Sequence, residues 1–162
     1  MNQKAFQQLF DQYFERVRNY LFYRCGDPEL ATDITQETFM RIWEKRLNPD
    51  QGKEKALLFK IAGDIFITEY RKKQTALRFA EVAKKEQDNP SVDHEVGYNE
   101  LKARYETALS QMKENQRIVF LMSRNDGLKY KEIAEHLDIS VKAVEKRMSE
   151  ALDYLKSLLK NE

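Results

Sequence analysis

"KYKEIAEHLDISVKAVEKRM", residues 129–148, sets two amphipathic segments against each other across a very short break. Ile133 and Leu137 give the first segment an apolar face, and Val144 and Met148 give one to the second, each pair at helical spacing. The first helix, 130–137, is unusually short, and a core-forming hairpin normally uses longer helices and a looser loop. Asp138 stands at the break, where the backbone turns left-handed. Glycine is the usual residue there, and aspartate is among the few others that tolerate it. Ile139 plugs the corner, Ser140 can cap the next helix, and small Ala134 lets a second helix cross closely. The spacing therefore predicts a helix-turn-helix, with the short helix as a brace and the break fixing the crossing angle.

The outer face of the second helix supports a nucleic-acid role. Lys142, Lys146 and Arg147 project from its early turns, and small Ala143 lets the backbone approach base edges. Lys129 and Lys131 stand where the brace could meet phosphates. A helical hairpin with a solvated basic face is the plainer alternative, and it leaves the small residue, the break and the cap without a purpose.

Composition bounds the rest. The chain has 162 residues, 41% apolar and 34% charged, with five glycines and three prolines, which favours long helices over many-stranded sheets. No run reaches the roughly 20 apolar residues of a membrane helix. The N-terminal MNQKAFQQLFDQYF lacks the basic-then-apolar plan of a signal peptide. A lone cysteine, Cys25, fits a reducing compartment, so a cytoplasmic location is expected.

Charge is unevenly placed. Lysine plus arginine against aspartate plus glutamate is 13 to 11 over residues 1–75, 3 to 6 over 76–100 and 12 to 10 over 101–162. The acidic centre, with "KKEQDNPSVDHEVG" at 84–97, reads as a linker. The expected organisation is all-α, with two small helical domains over 1–80 and 100–162, a polar acidic linker over 81–99, and independent motion of the two halves.

In the first half, Phe6, Leu9, Phe10, Tyr13, Phe14, Val17, Tyr20 and Leu21 form one helical stripe. Cys25-Gly26-Asp27-Pro28 stops that helix and starts the next: glycine for the C-terminal cap, aspartate for the N-cap, proline at the first helical position. A third helix is expected from 54 to at least 73. Leu58, Ile61, Ala62 and Ile65 line one face, and Phe59, Phe66 and Tyr70 line an adjacent one, followed by Arg71, Lys72 and Lys73. Aromatics beside cations suit single-stranded nucleic acid, whose bases stack while its phosphates are held. A wide apolar stripe ending in a solvated basic turn fits the same pattern.

Taken in order, these parts resemble a known family. "ALSQMKENQRIVFLMSRNDGLKYKEIAEHLDISVKAVEKRMSEALDYLK" is similar to region four of bacterial sigma factors of the extracytoplasmic-function (ECF) group. "DPELATDITQETFMRIW" and "LLFKIAGDIFITEYRKKQ" resemble the polymerase-binding and promoter-opening helices of region two. The resemblance implies a dissociable subunit that brings core RNA polymerase to promoter DNA and helps melt it, under control of an anti-sigma factor, without cofactor, metal or membrane insertion.

The resemblance also assigns residues. It gives Asp33, Gln36, Glu37, Phe39, Arg41 and Trp43 to the grip on polymerase, and the loop 46–53 to capture of a flipped base. Phe59, Lys60, Phe66, Tyr70, Arg71 and Lys72 would line the path of the melting strand. Lys129, Lys131, Ser140, Lys142, Ala143, Lys146 and Arg147 would bind the upstream element. The acidic linker would pass the polymerase cleft. Three positions depart from the family pattern. Gly63-Asp64 replaces an arginine-asparagine pair, Thr68 replaces an aspartate, and Lys129 replaces the serine or threonine cap of the brace.

Other classes fit less well. An enzyme would need a phosphate-binding glycine loop or a Cys/His metal set, and the chain has only His94, in the linker, and His136, expected on the brace surface. A conventional repressor would dimerise on a two-fold site and would have no use for the polar edge around Asp33 and Arg41.

Overall fold

The computed structural model describes residues 1–48, 52–70, 79 and 95–160. Among them lie seven helices and no strand: α1 (Gln3–Cys25), α2 (Pro28–Glu44), α3 (Glu54–Tyr70), α4 (Glu95–Gln111), α5 (Glu114–Arg124), α6 (Tyr130–Leu137) and α7 (Val141–Lys160). α4 begins at Glu95, so residues 95–99, expected in the linker, are helical. The rest of that linker, from 81 to 94, lies outside the described residues, as do 71–73, over which α3 is expected to continue.

The α1–α2 corner follows local chemistry. Gly26 adopts φ 66°, and its N–H donates to the Phe22 carbonyl. The Asp27 carboxylate then accepts from the N–H groups of Glu29 and Leu30 at 3.1 and 3.2 Å, with Pro28 opening α2. Such a cap contributes about 1 kcal/mol. α1, α2 and α3 close around Val17, Leu21, Ile34, Ile42, Leu58, Ala62 and Ile65, all buried. An aromatic cluster at one end joins Phe6, Phe10 and Phe14 of α1 to Phe39 of α2, with ring centroids 5.2–6.3 Å apart across the two helices.

In the second half α5 is the central element. Residues 117–122 are buried in unbroken succession, so this short helix is enclosed on every side instead of resting on one stripe. α6 and α7 pack on it from one direction and α1 from the other, while α6 also rests on α3. The two halves expected to move independently are thus packed together here, through α1–α5 and α3–α6.

The helix-turn-helix forms as its spacing predicts. Asp138 lies at φ 54°, ψ 49°, and its N–H donates to the Ala134 carbonyl. Ser140 Oγ accepts from the N–H of Ala143 at 3.1 Å. Ile133 and Val144 are fully buried between the helices, and Ala134 is nearly so. Lys129 cannot cap with its side chain, but its own N–H donates to the Glu132 carboxylate at 3.2 Å, which ties down the brace from the other side.

A left-handed residue at the break has a measurable cost. Asp138→Gly should leave the melting temperature near that of the parent protein. Asp138→Val should lower stability by about 1–2 kcal/mol, because a β-branched side chain clashes in that conformation. Thermal melts of the full chain read both, and a valine variant as stable as the parent would show that the break needs no left-handed residue.

Candidate nucleic-acid and polymerase interface

α7 presents its basic residues where a duplex can reach them. Lys142 and Lys146 are exposed one turn apart, and Ser149 extends the same face; Ala143 and Arg147 sit half-buried at its edge. Lys129, Lys131 and Ser140 are exposed around the brace and the turn. Further along α7 the outer face becomes acidic at Glu150 and Asp153, and Glu150 accepts a hydrogen bond from Gln116 of α5 at 2.8 Å. The N-terminal turns thus gather Lys142, Lys146 and Arg147 around one exposed carboxylate, Glu145, which is where a recognition helix meets phosphate and base edges.

α2 carries the second face. Asp33, Gln36 and Arg41 are exposed and Glu37 half-exposed, with the Glu37 carboxylate 2.7 Å from Arg41 Nη2. Trp43 keeps 44% of its surface exposed although its ring lies 5.0 Å from Phe6. Met40, 57% exposed, stands in the middle of this face, one turn from Gln36 and two from Asp33. Nothing in the polar pattern marks it, yet an unbranched apolar side chain ringed by polar groups is what a contact surface uses.

Phe39 does not share this face. It is 2% exposed, inside the α1–α2 aromatic cluster, so its assignment to the polymerase grip is corrected to core. Truncating it would cost about 3–5 kcal/mol of stability, which would mask any effect on binding.

α3 departs furthest from expectation. Lys60, Asp64, Ile67 and Thr68 occupy its solvent face, and Tyr70 is half-buried; Arg71 and Lys72 lie outside the described residues. Phe59 and Phe66, expected to meet the melting strand, are 5% and 2% exposed. Phe66 stacks on Tyr70 at 4.8 Å and lies under the Arg24 guanidinium at 4.3 Å. Phe59 packs between Tyr20 at 5.0 Å and His136 at 4.9 Å. In this arrangement neither ring can stack on a base. In the base-capture loop, Arg46 is exposed at φ 48° and Gly52 at φ 91°, and residues 49–51 lie outside the description.

Polar side chains join the two halves beside these rings. Arg24 donates to Glu114 at 2.6 Å; burial opposes its charge, but Tyr20 and Glu114 outweigh that and raise its pKa. The Tyr23 hydroxyl donates to Asp126 at 2.7 Å, and burial together with that carboxylate pushes its pKa up. Arg117 reaches out of α5 to four carbonyls: Tyr23 and Arg24 at 2.7 and 2.6 Å, Leu109 and Met112 at 3.3 and 3.1 Å. His136, expected on the surface, is 3% exposed.

Comparison with known proteins accords with this architecture. The model of sigma-70 region 2 matches residues 9–76, and that of sigma-70 region 4 matches 102–155. The chain is 26% identical to RNA polymerase sigma factor SigZ of Bacillus subtilis over 154 residues, covering 94% of this chain and 86% of that one. It is also 26% identical to the ECF RNA polymerase sigma factor SigM of the same organism, covering 93% of each. The sigma factor RpoE of Bartonella quintana, solved in complex with the anti-sigma factor NepR, has the same fold, with a TM-score of 0.61 at 21% identity over 97% of this chain and 98% of that one. A helix-turn-helix and a separate helical domain, each matched by its own sigma-70 model in the right order, identify the chain as a member of the sigma-70 family, in its extracytoplasmic-function group.

Proposed function

We propose that this sigma factor holds core RNA polymerase through the exposed face of α2, with Asp33, Gln36, Glu37, Met40, Arg41 and Trp43 in contact. It binds the upstream promoter element through the first turns of α7. The observation that carries the second assignment is the left-handed turn at Asp138. It swings α7 across the brace so that Lys142 and Lys146 face outward while Val144 is buried. Lys129 and Lys131 hold phosphates beside the recognition helix. The melted strand is received by α3, through Lys60 and Tyr70 with Arg71 and Lys72 following, and through Phe59 and Phe66 once they are uncovered. The work is done in the cytoplasm, and an anti-sigma factor, such as the one solved with the Bartonella protein, is the expected regulator. The chemistry is binding and strand separation, with no catalytic residue of its own.

A helix-turn-helix regulator acting without polymerase would leave the α2 face unused. Capture of core RNA polymerase by the purified chain, followed by run-off transcription, separates the two functions. Failure to capture core polymerase, together with the absence of a transcript, would overturn the proposal.

Two substitution series test the residue assignments. Replacing Asp33 and Gln36 with alanine should weaken binding to core polymerase while leaving the helical signal and melting temperature unchanged, because both side chains are exposed. Titration against core enzyme measures this, and parental affinity would remove α2 from the interface.

Arg147→Ala should reduce promoter binding by the assembled holoenzyme without unfolding the domain. If the guanidinium reads a guanine edge, the loss should be about 1–3 kcal/mol and confined to one base position. If it holds phosphate, affinity should fall for every sequence and the salt dependence become shallower by about one counterion. Val144→Asp is the contrast: it buries a charge between α6 and α7 and should unfold the motif outright. Parental affinity and salt slope for the arginine variant would mean that this side of α7 does not touch DNA.

A further inference from the structure

Of the side chains on the outer face of α7, Glu145 is the one that attraction to phosphate does not account for. Over residues 141–149 it is the only carboxylate, set among Lys142, Lys146 and Arg147. At helical spacing Lys142 and Ser149 stand opposite the buried Val144, with Glu145 on one flank and Lys146 on the other, and all four are exposed. The residues one turn from Glu145 are Val141 and Ser149, so no cation faces it at the spacing where helical ion pairs are strongest. Lys142 precedes it by three residues, in the lysine-first order that pairs weakly on a helix. Among the described residues no ion pair or hydrogen bond engages its carboxylate. Glu150, the next acid along α7, differs in being held by Gln116.

A free carboxylate at this place opposes DNA binding in general. It repels phosphate, and it gives up water on entering the groove. That loss is recovered only against a hydrogen-bond donor, because an ionised carboxylate accepts and never donates. The major groove offers two such donors, the N4 amine of cytosine and the N6 amine of adenine. Adenine sets its N7 acceptor beside the amine, against the second carboxylate oxygen, whereas cytosine has only a C–H there. Guanine N7 and O6 and thymine O4 are acceptors and repel it. Val141, 40% exposed one turn before Glu145, is no ligand for phosphate either. This flank of the early turns is therefore fitted to base edges, and the flank with Lys146 and Arg147 to the backbone.

We propose that Glu145 is a specificity-determining residue for the upstream promoter element. Its carboxylate accepts a hydrogen bond from the N4 amine of one cytosine in the major groove and discriminates against the other three bases at that position. This role rests on the assignment of α7 to the upstream element and adds to it the identity of one base.

The test uses core polymerase reconstituted with the full chain. Promoter fragments are selected from a randomised duplex library by the parent holoenzyme, and affinities are then measured for all four base pairs at each position of the upstream element. One position should favour cytosine on one strand by at least about fivefold. Glu145→Ala should lose that preference, keep the others, and bind the three disfavoured pairs more tightly than the parent does. Glu145→Gln should move the preference to adenine, whose N6 and N7 match the glutamine amide. Both variants should melt with the parent, since the side chain is exposed and without a partner. Replacing the selected cytosine with 2-pyrimidinone, which lacks the amine, should weaken the parent by at least about fivefold more than it weakens Glu145→Ala.

Lys146→Ala separates this role from the assignment beneath it. That variant should bind every sequence more weakly and leave the cytosine preference in place. A Glu145→Ala holoenzyme that keeps every base preference of the parent, or that gains affinity equally for all sequences, would overturn the role of Glu145. If Lys146→Ala were still weakened, α7 would remain the DNA-binding helix. Parental affinity and preference in both variants would overturn the assignment of α7 itself.

Discussion

The guanidinium of Arg117 is the contact on which the arrangement of helices depends. It donates to the Tyr23 and Arg24 carbonyls in the last turn of α1 and to the Leu109 and Met112 carbonyls at the end of α4, where helix geometry leaves acceptors short of donors. A cation at two helix C-termini also meets the negative ends of both dipoles. Burial lowers its pKa, but an arginine remains charged, and here four of its five N–H donors are satisfied by protein. Its flat face lies 4.8 Å from the Phe79 ring. Remove it, and carbonyls at two helix ends in the interior lose their donor at once, at a cost well above that of an ordinary surface hydrogen bond. That one side chain sets where α5 stands between α1 and α4, and α5 in turn carries the helix-turn-helix.

Much of the fold was legible because its decisive features are local. Gly26, Asp27 and Pro28 must make a corner whatever lies around them, and Asp138 with Ser140 must make a tight turn and a cap. Each is a backbone preference expressed within a few residues. Arg117 is different. In the sequence it is one of many arginines, and its carbonyl partners on α1 lie more than ninety residues away. His136 was placed on the surface for the same reason. The short brace has one face turned to α7, and only the packing of α3 against its other side buries the ring.

The exposed faces of α2 and α7 were legible where charge and burial agree. Asp33, Gln36 and Lys142 are polar, exposed and on outward faces, as spacing predicts. Phe39 and Phe59 are core, as their helical spacing alone allows, and only the family resemblance assigned them to binding faces. An aromatic residue at the edge of a stripe can face solvent or core, and the choice depends on how wide a groove the neighbouring helix offers. Beside Phe39 the rings of Phe6, Phe10 and Phe14 fill that groove; beside Phe59 the imidazole of His136 does. Met40 shows the converse, an apolar side chain left in solvent because α2 is covered on only one side.

The chemistry of the seam decides how costly opening it is. The cores of each half are apolar, and separating their helices would expose surface at roughly 25 cal/mol per Å². Across the seam the apolar contact is continuous, and hydrogen bonds and ion pairs are added to it: Arg24 with Glu114, Tyr23 with Asp126, and Arg117 with the carbonyls of α1. Water can replace such partners once the groups are exposed, so their net contribution is about 1 kcal/mol each, rising to about 1.5–3 for charged groups. Their directional geometry nevertheless selects one closed arrangement from many. Directional polar pairs set into a continuous apolar contact thus fix one relative placement of the two halves.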